Sequence, residues 1–310
     1  MEASITFKSV AKKINQDTLL ADLSFGVEKG TRFGIVGPNG SGKSTIVKLI
    51  SGIFQKDKGS IFISGNDISI KSDEIKYKIG YMPQISEFDN DLSIIDNLLF
   101  YGQLFGLSKE NTLIRIKDLA KKLDFSSYLF SYPSNVSYGI KRIIMFARSI
   151  VHNPDVLLLD EPTTNVDPVN RELIWNFILN NLEEKTVLFT TSNFSDAQEY
   201  SQRIAILYDG NIKYNGTFEY LVENTHGLSM FSIVFKNKIS EELVKNISLN
   251  PKIIKPTVSD NVLKFYSTDK QEYFKILKFS LDTDINDIDI SKCSLSDIFK
   301  GINLKREVDE

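Results

Sequence analysis

Two short stretches carry residue types that could do chemistry together. The first reads Gly37-Pro38-Asn39-Gly40-Ser41-Gly42-Lys43-Ser44-Thr45 and fits G-x-x-x-x-G-K-[ST] at every position. Its glycines let the backbone curl so that successive N–H groups converge on phosphate oxygens. A helix opening directly after the loop adds the positive end of its dipole. Lys43 can place a point charge on β- and γ-phosphates, and the Ser44 hydroxyl can ligate Mg²⁺. The second stretch, Leu157-Leu158-Leu159-Asp160-Glu161-Pro162, sets two carboxylates at the end of an apolar run. Asp160 is suited to hold Mg²⁺ through water, and Glu161 to polarise an attacking water as general base. Acidic strand ends are common on surfaces, so this pair gains its meaning from the phosphate loop upstream.

Both stretches need elements to position them. Arg32–Val36 reads as a strand feeding the loop. Ser44–Ser51 places Ile46, Leu49 and Ile50 on one helical face, stopped by Gly52. The unbroken apolar run Val156–Leu159 suits a parallel strand covered on both faces. Thr186–Thr190 reads as the next strand. Ser4–Val10 and Leu23–Val27 alternate polar and apolar, as half-exposed antiparallel strands do. Residues from about Asp91 to Leu129 are helical by pattern, and another helix follows Ser137. Ile204–Tyr208, Asp209-Gly210 and Asn211–Tyr214 form a hairpin pattern with a two-residue turn. From about Thr225 the order becomes strand 230–235, helix 241–247, strand 262–266, helix 271–281, strand 285–290, helix 295–302. That is a small alternating α/β module with no catalytic constellation of its own.

Composition bounds the rest. The chain has 310 residues, 42% of them hydrophobic and 25% charged, which is a globular balance and too long for one ordinary compact domain. The net charge of −3, with no basic stripe, argues against nucleic acid as a partner. The single cysteine, Cys293, makes neither an internal disulfide nor a multi-cysteine zinc site. There is no apolar run of about 18 residues for a membrane span, and the first residues lack the apolar core of a secretion signal. The expected location is therefore cytoplasmic, with any membrane association supplied by a partner.

With both stretches in place, residues of about 3–220 resemble the ATP-binding-cassette (ABC) family. Tyr81-Met82-Pro83-Gln84 is similar to that family's Q-loop. Val136-Ser137-Tyr138-Gly139-Ile140-Lys141-Arg142 occupies the place of its signature, LSGGQ-x-x-R. Pro162-Thr163-Thr164-Asn165-Val166-Asp167 is similar to its D-loop. The resemblance implies an α/β P-loop cassette with a parallel core sheet, an antiparallel N-terminal sheet and a helical subdomain at about 90–150. The expected domains are residues 1–222 and an accessory module over 225–310. It implies ATP and Mg²⁺ as ligands, with Gln84 as a further Mg²⁺ and water contact. It implies a second cassette as partner, in a homo- or heterodimer, with Ser137, Tyr138 and Gly139 meeting the partner's nucleotide and Asp167 in the D-loop. It also implies a separate integral-membrane permease subunit, holding the chain at the inner face of the cell membrane. The stretch Cys293–Phe299 is similar to one near the end of drug-resistance and sodium-export type subunits.

Three departures qualify this expectation. Ile14 stands near where the family has an aromatic residue over adenine, so stacking is lost. Tyr138 and Ile140 replace a glycine and a glutamine of the signature. Ser192 occupies the place of the switch histidine in Thr191-Ser192-Asn193-Phe194-Ser195-Asp196-Ala197. Neither His152 nor His226 lies where it could substitute. Glu161, Gln84 and Lys43 are nevertheless all present. The expected function is an ATP-hydrolysing motor subunit of a transporter. The alternative is a non-hydrolysing partner in a heterodimeric pair of cassettes.

Overall fold

The computed structural model describes residues 3–14, 17–70, 72–224, 229–239, 245, 253–267, 285–292 and 294–299. The chain divides into two units, residues 1–216 and 217–310, each taken by itself. The first opens with strands β1 (Ala3–Ile14), β2 (Asp17–Glu28) and β3 (Arg32–Val36), the helix α1 (Lys43–Ile50), and strands β4 (Lys58–Ile63) and β5 (Asn66–Asp67). α2 (Ser72–Lys76) and β6 (Ile79–Met82) lead to helices α3 (Ile94–Leu104), α4 (Lys109–Lys122) and α5 (Tyr138–Ile150). β7 (Val156–Asp160), α6 (Pro168–Asn181), β8 (Thr186–Thr191), α7 (Phe194–Tyr200), β9 (Arg203–Tyr208) and β10 (Asn211–Gly216) complete the unit.

Two sheets result. One is antiparallel, in the order β2-β1-β4-β5, and the other has six strands in the order β10-β9-β3-β8-β7-β6. In the second, β3, β6, β7, β8 and β9 pair in parallel, and β10 is the antiparallel edge. β10 joins β9 through Asp209 and Gly210, both at positive φ (49° and 66°), as a type I′ turn requires. Period-two alternation sends the core strands into two different cores. Val156 and Leu158 pack with α1 and the antiparallel sheet. Leu157 and Leu159, one residue out of step, pack with α3 to α6. That double burial is why this strand reads as a continuous apolar run.

Four of the motifs fall at carboxyl ends of parallel strands, and the signature residues Ser137–Gly139 instead begin α5. The phosphate loop follows β3, Gln84 follows β6, Asp160 ends β7, and Ser192 follows β8. This is the crevice where open α/β sheets bind ligands.

The second unit contains α8 (Phe218–Asn224) and strands β11 (Ser229–Phe235), β12 (Ile254–Ser259), β13 (Val262–Ser267) and β14 (Ile285–Lys292). They form an antiparallel sheet in the order β12-β13-β11-β14, with Phe231 stacked on Phe265 in its core. β12 has no counterpart in the sequence reading. Pro256 interrupts its pattern but is tolerated because β12 is an edge strand. Residues 295–299 are helical. Their N-terminus is capped reciprocally: Ser294 Oγ accepts from the Asp297 N–H at 3.2 Å, and Asp297 Oδ2 accepts from the Ser294 N–H at 3.0 Å. The helices expected over 241–247 and 271–281 (apart from residue 245), His226, Cys293 and residues 300–302 lie outside the described residues.

Candidate active site

The phosphate loop is built by glycines, two of them at close approaches. A Cβ on Gly37 would meet Leu207 O at 2.1 Å, and one on Gly42 would meet Leu20 Cδ2 at 2.6 Å. Gly40 and Gly42 both have positive φ, 82° and 102°, so the curl needs residues without a side chain. Gly42 is the N-cap of α1 and offers no side chain to its amides. The first N–H groups of the helix are thus left for a ligand. Ser41 Oγ is buried with no hydrogen-bond partner. Pro38 is half-buried, Asn39 and Gly40 are exposed, and Thr45 is buried. Lys43 is 5% exposed and donates to Gly37 O at 2.8 Å and Pro38 O at 3.0 Å. Burial pushes its amine down, while Glu161 opposes that shift.

The structure brings the acidic pair onto this loop. Ser44 Oγ donates to Asp160 Oδ1 at 2.9 Å, and Lys43 Nζ lies 3.5 Å from Glu161 Oε1. Asp160 is 1% exposed. Burial pushes its carboxyl up, and donation from Thr190 and Ser44 pulls it back. Glu161 has φ 48°, a conformation that costs a non-glycine residue on the order of 1–3 kcal/mol and persists only when its surroundings impose it. Those surroundings are explicit. The Glu161 N–H donates to Thr190 O at 3.2 Å and to Thr190 Oγ1 at 3.1 Å, and its carbonyl accepts from Arg142 Nη2 at 3.0 Å. At the carboxylate, Oε2 accepts from Thr164 Oγ1 at 2.6 Å, from the Ser192 N–H at 3.1 Å and from Ser192 Oγ at 3.4 Å.

The remaining motifs surround this centre. The Gln84 side chain is exposed, while its carbonyl accepts from Arg142 Nη1 at 2.9 Å. Ser137 caps α5 by accepting from the Ile140 N–H at 3.4 Å. Tyr138 is 46% exposed. Gly139 is buried against the D-loop: a Cβ there would meet Asn170 Nδ2 at 2.6 Å and Asp167 Oδ2 at 2.8 Å. Asp167 caps α6, with Asn170 N–H and Nδ2 donating to its two oxygens, which hold its carboxyl below the usual range. Ile14 ends β1 at 38% exposure, paired with Asp17.

Four residues of the centre were not anticipated. Thr190 bridges Asp160 and Glu161. Thr164 holds the Glu161 carboxylate. Asp196, 2% exposed, accepts from Thr163 Oγ1 at 2.8 Å and from Asn193 Nδ2 at 2.9 Å, tying α7 to the D-loop. Arg142, fully buried, donates to the carbonyls of Pro83, Gln84, Glu161 and Pro162 and to Ser86 Oγ. An arginine and a threonine among buried apolar neighbours were the available signals.

Comparison with known proteins agrees with this arrangement. The family described as ABC transporter matches residues 20–164. Nod factor export ATP-binding protein I of Paraburkholderia xenovorans (strain LB400) is 31% identical over 282 residues, covering 91% of each chain. The protein of the same name from Burkholderia lata is 32% identical over 232 residues, 74% of this chain and 76% of that one. Among solved structures, a bacterial Atm1-family ABC exporter with ATP bound has a TM-score of 0.64 at 27% identity, over 72% of this chain and 40% of that chain. A dimeric ATP-binding cassette in a post-hydrolysis state, bound to ADP and Pi, has a TM-score of 0.63 at 25% identity, over 69% and 98%. This chain belongs to the ABC transporter family, as an ATP-binding subunit and an ATPase.

Proposed function

We propose that this chain drives export through a separate membrane subunit, by hydrolysing Mg-ATP between two cassettes. The observation that carries the reading is the contact of Ser44 Oγ with Asp160 Oδ1 at 2.9 Å, with Glu161 beside Lys43. It joins a phosphate-binding loop to two carboxylates of different roles. Lys43 and the amides of residues 40–45 hold the β- and γ-phosphates. Ser44 and Asp160 are hard oxygen donors of the kind Mg²⁺ takes, with Gln84 as a further ligand from the Q-loop. Ser44, Asp160 and Gln84 would hold the ion together with phosphate oxygens of the nucleotide. When bound, Mg²⁺ neutralises charge that develops on them. Glu161 takes the proton of the attacking water.

The export direction follows the names of the relatives and the similarity of residues 293–299 to exporter subunits. Among the described residues no helix is long and apolar enough to cross a membrane, which fits a motor seated on a permease at the inner face. The ATP-binding domain is proposed over residues 1–222 and the accessory module over 225–310, whereas the compact units divide between 216 and 217, ahead of α8.

The test is Mg-ATP turnover by the native protein beside Glu161→Gln, with ATP binding measured in both. Turnover in the native protein and a loss of at least about 100-fold in the variant, with binding retained, supports the reading. Binding without turnover in either, also with the membrane subunit and a second cassette present, would replace it with a non-hydrolysing partner.

A further inference from the structure

The family's switch position holds Ser192 here, and its contact is not with a phosphate-binding group. Ser192 donates from both its N–H (3.1 Å) and its Oγ (3.4 Å) to Glu161 Oε2, the oxygen that also accepts from Thr164 Oγ1 at 2.6 Å. Every donor on the Glu161 carboxylate except Lys43 is therefore on one oxygen. Oε1 faces Lys43 at 3.5 Å. Lys43 is the group that a triphosphate draws onto itself.

We infer that Thr164 and Ser192 are positioning residues that anchor Glu161 through Oε2, leaving Oε1 as the single oxygen that takes the water's proton. The inference rests on the reading of Glu161 as the general base. It gives the switch position of this chain a task on the base. A carboxylate whose two oxygens both bear fixed donors has a poor lone pair to offer water, and one with no fixed donor rotates. Here one oxygen is fixed, and the other is released when Lys43 exchanges Glu161 for phosphate. The water oxygen then forms the new bond to the γ-phosphorus. The bond to the bridging oxygen breaks with its electron pair leaving on ADP, and Oε1 holds the water's proton until it passes to solvent.

A double-mutant cycle tests this, with kcat and KM for Mg-ATP and ATP affinity measured in each protein. Thr164→Val keeps the shape and removes the 2.6 Å donor, so kcat is expected to fall about 10-fold, the scale of one hydrogen bond to a charged group, with KM unchanged. Thr164→Ser restores it. Ser192→Ala, which keeps the N–H, lowers kcat by roughly 2- to 3-fold and leaves ATP affinity unchanged. In the Glu161→Gln background neither change lowers the residual rate further, because residues acting through one group are not additive. Weaker ATP binding in Ser192→Ala, or full additive losses in Glu161→Gln, would place these residues on the nucleotide and overturn the inference. Full turnover in Glu161→Gln itself would instead overturn the reading of the base, which separates the two failures.

Discussion

At the scale of single residues, the most consequential side chain is Arg142. Its guanidinium is fully buried and has carbonyl and hydroxyl acceptors from residues 83, 84, 86, 161 and 162. One planar fork thus ties the segment after β6 to the segment after β7. A lysine offers a compact head and cannot span both. Arg142→Lys and Arg142→Met are each expected to cost about 3 kcal/mol or more in urea unfolding, because several buried carbonyls lose their donors. His152 makes a prediction of a different kind. It stacks on Phe105 with centroids 4.0 Å apart, bonds Ile79 O through Nε2 at 3.0 Å, and leaves Nδ1 buried without a partner. Burial pushes its pKa down from 6.5 to about 4, opposed by the bond to Ile79. Below pH 6.5 the unfolded chain binds a proton that the folded chain refuses. Stability from this group is complete above about pH 6.5 and is lost progressively as pH falls toward 4. His152→Phe should therefore flatten the fall in melting temperature over that window, whatever it does to stability at pH 8. Identical slopes in the two proteins would rule out His152 as the cause.

At the scale of elements, what the sequence disclosed depended on how many faces an element buries. β7 is buried on both faces and reads as one continuous apolar run, and α5 carries Ile143, Ile144, Ala147 and Ile150 at helical spacing, so both were legible. β6 is four residues long and includes Gly80, whose added Cβ would meet Ser149 O at 2.1 Å; a strand that close to a helix backbone leaves little side-chain pattern to read. α6 spreads its apolar residues around the helix, with only Ile174, Trp175, Phe177 and Ile178 buried. Its cap, Asp167 before Pro168, was visible but was absorbed into the D-loop resemblance. The motif residues could be read from type and spacing, whereas Thr190, Thr164 and Arg142 could not, because their partners are remote in sequence. The docking of α5 on α6 is another such long-range fact. Gly139 lies against Asp167 and Asn170, so Gly139→Ala must displace the pair that caps α6. Loss of such a cap costs about 1 kcal/mol. Asn170→Ala already lacks the nearer clashing atom, and in that background Gly139→Ala should cost measurably less in the same unfolding experiment. Equal costs in both backgrounds would mean that the clash is relieved elsewhere.

At the scale of the whole molecule, the two surfaces that a nucleotide sandwich needs are both open on one chain. Asn39 and Gly40 of the phosphate loop are exposed, and so are Ser137 and Tyr138 at the start of α5. A two-fold pair presents the same two patches to each other, so one interface uses both motifs twice and closes without open ends. Its cohesion would come from the γ-phosphate and from the amides at the start of α5, which attract negative charge. Glu161→Gln, which lacks the proposed base, is therefore expected to run as a dimer with Mg-ATP and as a monomer without nucleotide, by light scattering. Adding Ser137→Glu sets a carboxylate against that phosphate and should abolish the dimer while the monomer still binds ATP. The same variant in its neutral form, Ser137→Gln, separates charge from bulk: if it also abolishes the dimer, size at the signature decides, and if it restores the dimer, repulsion does. A Glu161→Gln protein that stays monomeric with ATP bound would show that the second cassette is a different chain, and that the exposed Tyr138 was shaped for that partner and not for a copy of its own.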